Sequence, residues 1–225
     1  MARRRRQGRP VRGQRDDGSA EACDRPGGLR GGPRFGGGPA AGAARIGDLE
    51  SVAYNAARDR LYVFSGSCCT SSALPTAFRL MRASNDTFHV ESFQPLPAGT
   101  SFTAAAWSAY DRRVYVGNGR TFRSYDYPTN AVGAPFSLEG VRGVLGMGFS
   151  SDGADLVLVT NAERLYRVSW RTKTVVPGWV FDLTPFGVRD SRAVDLVGDR
   201  FYVLDGYPRP KGDSLRNAVF VFDVV

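Results

Sequence analysis

Between residues 49 and 206 one short pattern occurs four times, and it limits this chain more tightly than length or composition does. The copies are residues 49–66 (LESVAYNAARDRLYVFSG), 102–119 (FTAAAWSAYDRRVYVGNG), 144–161 (VLGMGFSSDGADLVLVTN) and 191–206 (SRAVDLVGDRFYVLDG). Each reads as a strand of small and apolar residues, a polar turn, and a second strand ending in Gly or Asn or just before it, which is a β-hairpin. In the first three copies an aromatic residue (Tyr54, Trp107, Phe149) stands seven positions before the residue that opens the second strand (Leu61, Val114, Leu156). In the fourth, Leu196 precedes Phe201 by five, as a tight Gly198-Asp199 turn would require.

The second-strand openings lie 53, 42 and 45 residues apart, close to the period of roughly 40 to 50 residues of propeller blades. Third strands are predicted at 77–82, 121–127, 164–170 and 218–222, and fourth strands at 88–93, 135–138 and 175–182. Helical periodicity is absent from this region, which argues against α-containing repeats. The expected fold is therefore all-β, a β-propeller of about four blades over residues 46–225, with blades near 48–97, 101–141, 143–185 and 190–225. The last blade lacks an outer strand. Either the run 43–47 closes the ring, or the chain is a fragment of a larger propeller, or it self-associates through the open edge strand.

Residues 2–44 are mainly Arg, Gly, Pro and Ala, with Val11, Leu29 and Phe35 as the large apolar residues, so a disordered Arg/Gly-rich tail is expected over 1–45. That tail also explains the net charge of +8: residues 1–45 carry 11 Arg against 4 acids, and the remainder has 19 Lys plus Arg against 18 acids. A folded part so nearly neutral lacks the one-sided field of a nucleic-acid-binding sheet. The run Arg3 to Arg6 is followed by no apolar segment of secretory length, so no export signal is read; an extracytoplasmic location would require a different N-terminus. No stretch of apolar residues reaches the length of a membrane span.

Chemistry in such a fold gathers where inner strands begin and where second strands meet third ones. The polar residues there are Asp48 and Glu50 before blade one, Asp190 and Arg192 before blade four, and Asp205 with Tyr207 after its second strand. Two loops on that rim are long, residues 65–76 (SGSCCTSSALPT) and 205–217 (DGYPRPKGDSLRN, including Arg209); 117–121 and 160–163 are short. Long loops on a rigid scaffold favour binding. The adjacent Cys68 and Cys69 could form a rigid knob if oxidised, or stay as two thiols; with Cys23 they make no metal-site spacing. His89, the single histidine, falls on a predicted outer strand, away from any triad position.

Residues 190–206 (DSRAVDLVGDRFYVLDG) and 146–160 (GMGFSSDGADLVLVT), with 49–54 (LESVAY) as an opening strand, resemble the blades of bacterial gluconolactonase/regucalcin-like propellers and of their NHL- and WD-like relatives. The resemblance implies a divalent cation in the channel, held by a Glu on the first inner strand and an Asp before a late one. Glu50 and Asp190 match these positions, and Leu145 stands where the family has Asn.

Three functions follow as expectations. The first is a non-enzymatic binding module that recognises a protein, peptide or glycan at the rim of blades one and four, through Asp48, Glu50, Cys68, Cys69, Arg192, Asp205, Tyr207 and Arg209. The second is a metal-dependent lactonase or esterase, with Glu50, Asp190 and Asp205 holding a cation such as calcium and Arg192 steadying an oxyanion. The third is an incomplete propeller that serves as an assembly unit.

Overall fold

The computed structural model describes residues 49–65, 75–82, 88–97, 100–206 and 218–223. The tail 1–45 and the closing run 43–47 lie outside them. Strand formation follows the hairpin pattern closely, because the aligned residues are cross-strand partners. Tyr54 pairs with Leu61, Trp107 with Val114, Phe149 with Leu156, and Leu196 with Phe201. The spacings of seven and five are thus the registers of the hairpins, and Gly198 at φ 62° takes the left-handed position of the tightest turn.

Four antiparallel sheets result, arranged as a four-bladed β-propeller. Blade one holds β1 (Leu49–Asn55), β2 (Arg60–Ser65), β3 (Thr76–Arg82) and β4 (Phe88–Pro95) in that order. Blade two holds β5 (Ala104–Ser108), β6 (Arg113–Asn118), β7 (Thr121–Asp126) and β8 (Ala131–Val132). Blade three holds β9 (Val144–Phe149), β10 (Asp155–Thr160), β11 (Arg164–Ser169) and β12 (Thr174–Asp182), and blade four β13 (Ser191–Val197), β14 (Arg200–Asp205) and β15 (Ala218–Asp223). Short 3-10 turns occupy Ala56–Arg58 and Thr184–Phe186, and no α-helix occurs among the described residues.

One strand falls elsewhere than expected. The fourth strand of blade two is Ala131–Val132, and of the predicted 135–138 only Phe136 makes a bridge, exchanging hydrogen bonds of 2.9 Å with Phe122. Asn130 at φ 53° turns the chain back early, and Pro135, without an N–H, breaks the ladder.

Inner strands β1, β5, β9 and β13 pack in chain order. Between β9 and β13 the backbones approach so closely that a Cβ on Gly146 would lie 2.6 Å from Ala193 Cα. Three apolar cores lie between successive blades. One contains Tyr62, Phe64, Phe102, Val116 and Tyr125; the next Phe122, Met147, Leu158 and Trp170; the last Val157, Leu165, Val188, Phe201 and Val203. Among the described residues no equivalent core joins blade four to blade one. Their outward faces instead expose Val52, Tyr54, Leu204, Val219 and Val221.

Candidate functional site at the propeller rim

The rim at which the inner strands begin is held by side-chain oxygens that satisfy backbone groups of the next blade. Glu50, on β1, accepts hydrogen bonds from Phe102 N (2.9 Å) and Ser101 Oγ (3.0 Å), and Ser51 Oγ donates to Phe102 O (2.6 Å). These bonds clip blade one to blade two. Thr103 Oγ1 reaches Val144 O (3.2 Å), and Val144 N donates to Gly119 O (2.7 Å), joining blades two and three. Glu163, in the β10–β11 turn, accepts from Ser191 N (2.8 Å), and Ser191 Oγ donates to Thr160 O (3.0 Å), which fastens blade four to blade three.

Within blade four, Asp205 is buried at 1% exposure and accepts from Asp190 N (2.9 Å), while Gly206 N donates to Asp190 O (2.8 Å). The side chain of Asp190 turns the other way and pairs with Arg192 at 2.8 Å. Arg192 remains 58% exposed at the side chain. A paired but accessible guanidinium at the mouth of a rigid frame can receive an acidic or carbonyl-bearing partner group. Ion pairing at that exposure contributes little to stability.

The structure therefore brings Asp190, Arg192 and Asp205 together on blade four and gives Glu50 to the joint between blades one and two. Glu50, Asp190 and Asp205 do not gather into one cluster: among the described residues no group of three or more His, Cys, Asp or Glu side chains is placed to hold a metal ion. Asp48, Cys68, Cys69, Tyr207 and Arg209 lie outside the described residues. His89 is on the outer strand β4, as expected.

Two further acids, Glu163 at this rim and Asp195 farther along β13, were not singled out in the sequence. Glu163, in the β10–β11 turn, does for blades three and four what Glu50, on β1, does for blades one and two, and its only sequence signal was a carboxylate in a short rim turn. Asp195, on β13 beside Gly148 of β9, is partly desolvated, and this burial pushes its carboxyl above the usual range. A carboxylate within an inner strand of alternating small residues was its available signal.

No protein-family model matches the chain, and no curated protein matches it. Solved structures do. The Myxococcus xanthus glutaminyl cyclase is similar at a TM-score of 0.54 and 12% identity, over 79% of this chain and 73% of that one. LS24, a seed albumin from Lathyrus sativus, is similar at 0.50 and 11%, over 74% and 89%. The WD40 repeats of RRP9 align at 0.48 and 11%, over 72% of this chain, which spans 46% of their length. At such identities the likeness to the first two shows the fold alone. No helix among the described residues is long and apolar enough to cross a membrane.

Proposed function

We propose that the protein is a binding module that recognises a protein, peptide or glycan through the rim loops of blades one and four. One observation carries this reading. Both long loops spring from closed ends of strand ladders, the first from the Ser65–Thr76 pair and the second from the Asp205–Ala218 pair. The frame beneath the second loop is locked by Asp205 and Asp190, and it presents Arg192 to solvent. The equivalent connections in blades two and three close tightly, through Asn118↔Thr121 and, in the turn before Arg164, through a hydrogen bond from Glu163 N to Thr160 O. Long loops set on rigid ladder ends are what recognition needs, since the scaffold carries the cost of ordering them. In this reading Arg192 and Arg209 supply charge-assisted hydrogen bonds, Tyr207 supplies an amphipathic ring, and the first loop contributes Cys68 and Cys69 beside Asp48 and Glu50.

The test is capture of partners from a lysate by the full chain, followed by binding measured against the captured species. Replacing Arg192, Tyr207 and Arg209 with Ala is expected to weaken binding at least tenfold for the strongest of the three. Unchanged capture by the triple variant would remove the rim from consideration.

A metal-dependent lactonase or esterase reading would use Glu50, Asp190 and Asp205. It is the weaker one, because backbone N–H groups already occupy Glu50 and Asp205, and Arg192 pairs with Asp190. A specific observation favours assembly as a second reading. β15 has no strand along its outer edge among the described residues, and its Val219 and Val221 are exposed.

A further inference from the structure

We propose that a cleft on the opposite rim of blade one binds the phosphate group of a small phosphate monoester. The cleft is a cavity of about 310 Å³ lined by Arg58, Arg60, Tyr62, Arg79 and Glu91. It lies where the first hairpin turns, at the end of β1 and β2 farthest from the loop rim. Arg58 ends the 3-10 turn, Arg60 opens β2, Arg79 pairs with Tyr62 across β2 and β3, and Glu91 comes from β4.

Charge is the first argument. Glu91 Oε2 lies 3.0 Å from Nε of both Arg60 and Arg79, so one carboxylate pairs with two guanidiniums; with Arg58 as a third, the lining keeps a surplus of two positive charges. Asp59, next in sequence, does not line the cleft; its Oδ1 accepts from Tyr54 OH at 2.5 Å. The side chains of Arg60, Arg79 and Glu91 are only 26 to 30% exposed, so water and salt screen this imbalance less than on an open surface.

Unsatisfied polar groups are the second argument. Nε of Arg79 has no hydrogen-bond partner, the Glu91 oxygen being near it but out of line. Asn55, the cross-strand partner of Arg60, is wholly buried, and neither its amide nitrogen nor its oxygen is hydrogen-bonded. Buried groups of this kind are rare in folded proteins and call for an explanation. Asn55 does not line the cleft, but Arg79 does, and a ligand there gives its Nε a partner.

The cleft is also preorganised. Tyr62 stacks on Trp107 of blade two with ring centroids 6.3 Å apart, and the Arg79 guanidinium lies 5.0 Å over the Tyr127 ring. An arginine fork held on an aromatic face matches the terminal oxygens of a phosphate two at a time. A monoester dianion balances the two surplus charges, whereas a monocarboxylate leaves one of them. The volume sits at the small end of ligand pockets, enough for a phosphate with a compact substituent.

Isothermal titration of the full chain at low ionic strength, with phenyl phosphate, inorganic phosphate and benzoate as probes, decides the matter. Phenyl phosphate is expected to bind saturably, more tightly than inorganic phosphate, with benzoate silent. Arg58→Gln, at an exposed position outside the cores, should weaken phenyl phosphate about tenfold, the loss of one charge-assisted contact, and Arg79→Lys should do likewise. Absence of saturable binding, or equal affinity in both variants and the parent, would overturn the proposal. Inorganic phosphate binding as well as the ester would overturn the ester in favour of the free ion. A phosphotyrosine peptide binding where phenyl phosphate does not would overturn it in favour of a protein partner.

Discussion

The joint between blades two and three and the outward flank of blade four are made of the same kind of strand, and they end in opposite conditions. At the joint, Trp170 is 1% exposed and meets Tyr115 and Phe149 edge to face, with centroids 4.6 and 4.9 Å away. Its indole N–H donates to Asp111, which also accepts from Tyr115 OH at 3.0 Å, and the Lys173 ammonium covers the ring. On the flank, alternate residues of β15 face Phe201 and Val203 in the last core, while Val219 and Val221 meet solvent. The comparison shows that alternation of apolar residues makes a blade, and that only a neighbouring blade turns an apolar face into a core.

The largest test of that difference is Trp170→Ala, which empties the joint. It should cost about 3 to 5 kcal/mol in chemical denaturation, the range for burying and then deleting a large aromatic side chain. A loss below ~1 kcal/mol would mean that the joint is no better packed than the flank.

An intermediate effect should appear at alkaline pH. Burial, with the hydrogen bond and charge of Asp111, pushes the Tyr115 phenol up to about 12, and burial raises that of Tyr125 as well. A folded-state value above the ordinary 10 makes a contribution that is whole below about pH 10 and fades as pH climbs towards 12. Melting temperature should therefore fall across that interval, and Tyr115→Phe should flatten the slope. An unchanged slope in the variant would detach the joint from the alkaline transition.

The smallest effect concerns the flank itself. Changing Val219 and Val221 together to Thr should alter monomer stability by no more than about 0.5 kcal/mol each, since surface substitutions rarely do more. If blade four assembles through this face and edge, light scattering should show the parent associating with rising concentration and the variant remaining smaller. Equal masses for both would leave the flank as plain surface.

Much of the architecture was legible in the sequence because hairpin registers are local. The pairs Tyr54↔Leu61 and Leu196↔Phe201 connect residues seven and five apart, so spacing alone exposes them. The fourth strand of blade two was misplaced because it is only two residues long, Ala131–Val132, and carries too little pattern to compete with the apolar 135–138. The rim acids were legible as positions and not as roles. Nothing near Glu50 in the chain shows that its partner is Phe102 N, 52 residues away. The arginine cleft stayed hidden for the same reason, as Arg58, Arg79 and Glu91 come from three separate elements.

By itself, the sequence determined that this chain makes four β-hairpins with known registers, since period-2 alternation and turn chemistry act over a few bonds. Tertiary structure alone decided which carboxylates are spent on backbone N–H groups, which apolar faces find a neighbour, and where guanidiniums outnumber acids. Those outcomes depend on distances between blades, and such distances follow from packing across segments that the chain keeps tens of residues apart.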